Sequence, residues 1–116
     1  MKFLTVMILC LFSLSGYSEA KKYIDCQQFL GFKPDARVGW FIGTISALRM
    51  AASLHEGREA SSCVGNWFFE DPEKRQAQME KIYAQNLEKS PTILLMFQLN
   101  QACGVFDMHP EEVKGS

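Results

Sequence analysis

The chain has 116 residues, 47% of them hydrophobic and 22% charged, with twelve Lys and Arg against thirteen Asp and Glu and a formal net charge of −1. This balance excludes a general electrostatic pull toward nucleic acid or anionic lipid, so partners have to be recognised through shape and apolar surface.

Residues 1–20 carry Lys2, then the apolar run Phe3 to Phe12, then Ser18-Glu19-Ala20. A basic start, a short apolar stretch and a small-residue ending are the marks of a secretory signal, expected to be cleaved after Ala20. The run is too short for a comfortable membrane span, and no later stretch is longer, so no stable membrane insertion is expected after processing. The 96 remaining residues suffice for one domain with a thin core. Export to the periplasm or beyond places Cys26, Cys63 and Cys103 in an oxidising compartment, where at least one disulfide is expected. Spacing alone leaves the pairing open. A Cys26–Cys103 bridge would tie the first helix to the last, and Cys63–Cys103 is its rival.

Periodicity predicts helices throughout. Tyr23 to Leu30 fits a short helix ending near Gly31. Pro34-Asp35 opens the next, because proline lacks a donor that the first turn cannot use and aspartate favours the positive helix end. Val38, Phe41, Ile42, Ile45, Leu48 and Ala52 then recur at three and four, marking one face up to His55. Glu56 to Ser62 lacks apolar spacing and reads as a surface loop. Cys63 to Phe69 reads as an aromatic helical turn. Asp71-Pro72 and Ser90-Pro91 repeat the start signal. The first leads a helix whose inward face is Met79, Ile82, Tyr83, Asn86 and Leu87; the second leads a nearly all-apolar helix ending at Gly104. Neither alternation nor hairpin signals point to a sheet. The expected fold is therefore all-α, a small single-domain bundle of four to five helices over residues 21–105, followed by a loosely held tail at 106–116.

Gly39, Gly43 and Ala47 fall four apart on the second helix, which lets another backbone come close. This predicts an intramolecular helix crossing, with a homodimer contact as the alternative. His55 with Glu56, and His109 with Asp107, lack the i, i+4 spacing of a helical metal site, and no phosphate loop, Gly-x-Ser-x-Gly or nucleophile signature is present. No enzyme activity, metal or cofactor is expected. Trp67, Phe68 and Phe69 are adjacent, and three neighbouring rings on a helix cannot all face inward, so a binding surface is expected there. Trp40 and Phe41 are the other partner-binding candidates. Without residues 1–20 the side-chain charge would swing from −1 to +13 when every carboxylate and both histidines are protonated, which permits acid loosening of a small core.

Cys26-Gln27-Gln28-Phe29-Leu30, followed by Pro34, Val38 and Trp40-Phe41, resembles the start of the HdeA/HdeB periplasmic acid-stress chaperones. That resemblance implies a small all-helical protein held by one disulfide, an ATP-independent holdase whose partners are unfolding clients. A second set of residues, Gly39-Trp-Phe-Ile-Gly43 on a helix, then Cys63, then an amphipathic helix leading to Pro91 and a closing Cys103, resembles the Rap/Tai immunity proteins. That resemblance implies a periplasmic protein whose partner is a secreted peptidoglycan-amidase toxin. Of the two, the chaperone is the leading expectation from the sequence.

Overall fold

A computed structural model describes residues 23–108; residues 1–22, on which the expected signal falls, and residues 109–116, with His109 and the end of the expected tail, lie outside the described residues. Among those described the fold is all-α, with five helices: α1 (Cys26–Leu30), α2 (Pro34–Glu56), α3 (Arg58–Phe69), α4 (Pro72–Ala84) and α5 (Pro91–Cys103).

Helix α1 has only five residues, too few to persist on its own. It is fixed at its start by a capping box: the Asp25 carboxylate accepts from the Gln28 N–H at 2.8 Å, and the Gln28 amide oxygen accepts from the Asp25 N–H at 3.0 Å. Its first two N–H groups have no partner within the helix. They donate instead to the turn before α5, Cys26 to the Lys89 carbonyl at 2.9 Å and Gln27 to the Leu87 carbonyl at 3.0 Å.

Pro34 and Asp35 open α2 as expected, and the helix runs 23 residues to Gly57. Only there does the chain break. Gly57 has φ +97°, a conformation that side chains with a Cβ resist, and α3 starts at the next residue. The segment 56–62 is thus mostly helix and not the expected loop. Its first turn is polar because it faces solvent, and the signal for it lay in Ala60, Val64 and Phe68, spaced four apart across the loop's assumed end. Val64, Gly65 and Phe68 are buried and Ala60 packs on the core.

Asp71 and Ser90 cap α4 and α5 by accepting the Lys74 and Ile93 N–H groups. Helix α4 stops at Ala84, so Leu87 falls in the following turn and is exposed, while Asn86 is buried and donates to the Ile82 carbonyl at 2.9 Å. Helix α5 is the most enclosed element, burying Leu94, Leu95, Phe97, Gln98 and Leu99, although Ile93 is exposed. Beyond Gly104 the chain remains attached through buried Val105, whose carbonyl, like that of Phe106, accepts from the Asn100 side chain.

The core centres on rings. Phe29 meets Trp40, Tyr83, Phe41 and Phe32 at centroid distances of 4.9, 5.2, 5.5 and 5.9 Å, all edge-to-face, the arrangement favoured by ring quadrupoles. Phe41 stacks in turn on Phe68. The Tyr83 hydroxyl, buried with its ring, donates to the Pro91 carbonyl at 2.8 Å.

The disulfide joins Cys63 on α3 to Cys103 at the end of α5, with Cα atoms 5.8 Å apart. Of the two pairings left open by the sequence, Cys63–Cys103 is therefore the one formed and Cys26–Cys103 is not. Cys26 is a free, fully buried thiol. Hydrogen bonds and nested rings, rather than sulfur, attach the first helix.

A candidate protein-binding surface on α3

The five aromatic candidates separate into two groups. Phe41 is fully buried and Phe68 nearly so, both in the ring nest, so neither can touch a partner while the fold is intact. Trp40 is partly covered and packs on Phe29 and Phe41. On α3, Phe69 lies toward solvent, and Trp67 packs partly buried on the core as Trp40 does. Phe69 is 40% exposed and rests edge-on against Phe68. Positions 67, 68 and 69 are about 100° apart around a helix, and burial of the middle ring turns its neighbours toward the two edges of the face.

Trp67 is held from the next helix. The Arg75 guanidinium carbon lies 4.7 Å from its ring centroid, a cation–π arrangement. Arg75 Nε also donates to the Trp67 carbonyl at 2.7 Å, and Nη1 donates to the Gln78 side-chain oxygen at 3.0 Å. One residue thereby fixes both the backbone and the ring of Trp67. The sequence offered no signal for this role of Arg75, because the contact spans the turn between α3 and α4.

Beside Trp67 is a shallow depression of about 560 Å³, lined by Arg58, Glu59, Ser62, Asn66 and Cys63 of the bridge, with Ala102 closing it from α5. Its walls offer both charge signs, a hydroxyl and an amide around an apolar floor. That is the make-up of a recognition surface with a fixed aromatic at its edge.

The small-residue stripe behaves otherwise than expected. Gly39, Gly43 and Ala47 are exposed, with open space over both glycines, so among the described residues they form no helix crossing. The close approach of α2 to α3 occurs at Gly65 instead, where an added Cβ would come within 2.8 Å of the Arg49 side chain lying across it.

The remaining titratable groups of note are internal. Burial, with Asp25 adjacent, pushes the Cys26 thiol up to about 12. The Tyr83 hydroxyl is raised by burial first and then by Cys26 and Glu80. A thiol so held stays protonated and is a poor nucleophile. Among the described residues no group of three or more His, Cys, Asp or Glu side chains is placed to hold a metal ion, and no helix is long and apolar enough to cross a membrane. Comparison with family models, curated proteins and solved structures gives no match for the chain.

Proposed function

We propose that the protein is a periplasmic binding protein that captures one specific partner on the α3 surface, and that this partner is a secreted cell-wall amidase which it neutralises. The observation that carries the reading is the Cys63–Cys103 bridge. It joins the two cysteines named by the resemblance to Rap/Tai immunity proteins. The resemblance to acid-stress chaperones rests on Cys26, which is unbridged and buried. A binder of one partner also benefits from a contact surface fixed before the encounter, since side chains already immobilised lose less entropy on binding. Trp67 clamped by Arg75, next to a depression braced by a disulfide, fits that requirement. A holdase for varied clients is better served by adaptable surface.

The test is co-purification at neutral pH with a peptidoglycan amidase encoded beside this gene, together with the amidase rate on purified cell wall. A stoichiometric complex and loss of hydrolysis are expected, with binding weakened at least about tenfold by Trp67→Ala. Absence of a complex, combined with suppressed aggregation of unrelated proteins near pH 2 to 3, would replace this reading with the chaperone.

A further inference from the structure

Helix α5 is the most enclosed element, and Gln98 is the one residue of it that is both polar and buried, at 7% exposure. Its Nε2 is buried and meets no hydrogen-bond acceptor among the described residues. A buried N–H without a partner is destabilising, and a chain that retains one calls for a reason. Methionine would fill the same space without it. The reason lies in the direction of a hydrogen-bond chain that ends at Gln98. Arginine only donates, so Arg75 Nη1 takes the Gln78 oxygen at 3.0 Å and leaves Gln78 its nitrogen alone to offer. That nitrogen donates to the Gln98 oxygen at 3.5 Å, the longest link in the chain. With its oxygen used, Gln98 is left holding the unpaired nitrogen. At the other end the same guanidinium donates from Nε to the Trp67 carbonyl at 2.7 Å and lies over the Trp67 ring. One polar line thus joins α5, α4 and α3, and Arg75 sets its direction.

We infer that Gln78 and Gln98 are positioning residues for the α3 surface, and that the unpaired Gln98 nitrogen is a stability cost retained because the chain behind it holds Arg75 over Trp67. This rests on the reading that Trp67 contacts a partner. An arginine side chain has many rotamers, and it gives up that freedom only where its donors are fixed. Arg75 and Gln78 are both partly exposed, so hydrogen bonds between them alone would compete with water at either residue. Gln98 is shut away from water and cannot turn aside. The enclosed end of the chain therefore anchors the exposed one, and Trp67 meets its partner with the guanidinium already in place.

Gln98→Met tests this in the purified protein, because methionine is close to glutamine in length and volume and carries no strong hydrogen-bonding group. The urea midpoint of unfolding is expected to stay at or above the parent's, since no buried N–H is then left unpaired and the partly exposed Gln78 turns to water. In nuclear magnetic resonance the Arg75 Nε–H signal, displaced in the parent by the Trp67 ring, should move toward that of a free arginine, and the Trp67 indole N–H signal should move with it. Affinity for the amidase should fall about three- to tenfold, less than with Trp67→Ala. Gln78→Met interrupts the same chain at a partly exposed position and should move the same two signals. Unmoved signals, or a midpoint for Gln98→Met below the parent's, would overturn the proposal by giving Gln98 a packing role alone. Unchanged affinity in a variant whose signals have moved would overturn it as well. If the parent itself forms no complex with the amidase, the proposed partner is wrong, and the two signals still decide whether Gln98 holds Arg75 in place.

Discussion

Helix α1 and helix α3 are both short, and both are attached to the same core, yet by opposite means. Helix α1 has a fully buried cysteine and does not bridge it; α3 has a half-covered cysteine and does. The difference follows from what each helix can bury. In five residues α1 places Phe29 among four other rings and ties its first N–H groups to the turn before α5. Helix α3 has Ser61, Ser62 and Asn66 and, at its closest approach to α2, a glycine with no side chain to contribute. Helix α3 nonetheless buries Val64 and Phe68 in the core, Phe68 stacking on Phe41 of α2, and the covalent link adds an attachment to a different neighbour, α5.

The comparison is broken most forcefully at Phe29. Phe29→Ala removes the ring at the centre of the nest and leaves a cavity that its neighbours cannot fill, so a loss of about 3 to 5 kcal/mol is expected in denaturant unfolding. A loss below about 1 kcal/mol would mean that α1 is dispensable to the core. The paired change Cys63→Ser with Cys103→Ser ranks next. The bridge closes a separation of 40 residues, for which chain entropy sets a stabilisation of about 4 kcal/mol, and measured values commonly run about 2 to 4. Reductant should lower the parent's melting temperature and leave the double variant's unchanged. If reductant moves neither, then α3 is held by packing alone.

Much of this contrast was legible in the chain. The start signals Pro34, Asp71-Pro72 and Ser90-Pro91, and the stop at Gly104, are local and strong, and they delimit helices as read. The buried positions Phe41, Ile45, Leu48 and Ala52 followed from their spacing. Three things did not follow. The start of α3 hid behind a polar first turn, because apolar periodicity is silent where a helix faces water. The cysteine pairing depends on which helices lie side by side, and spacing along the chain does not encode that. For the same reason the aromatic candidates were not separable: Trp67, Phe68 and Phe69 are neighbours in sequence, and only the placement of α3 against α2 decides that Phe68 turns inward. The Gly39, Gly43 and Ala47 stripe shows the converse, a packing pattern that the fold leaves facing outward.

The finest test of the comparison uses the thiol that α1 keeps. Burial raises the Cys26 thiol from 9.0 to about 12, so the folded chain holds its proton over a range in which the unfolded chain has released it. Folding stability is then complete below about pH 9 and falls as pH rises through 9 toward 12, since the unfolded state binds fewer protons there. At pH 10 the loss from this group is on the order of 1 kcal/mol, small beside either substitution above. Tyr83 shifts in the same direction from a higher starting value and adds to the fall only above about pH 10. Cys26→Ala should therefore flatten the decline between pH 8 and pH 10 in urea titrations, whatever it does to stability at neutral pH. An identical slope in parent and variant would show that Cys26 meets water, and that the corner around α1 is open where the ring nest requires it to be closed.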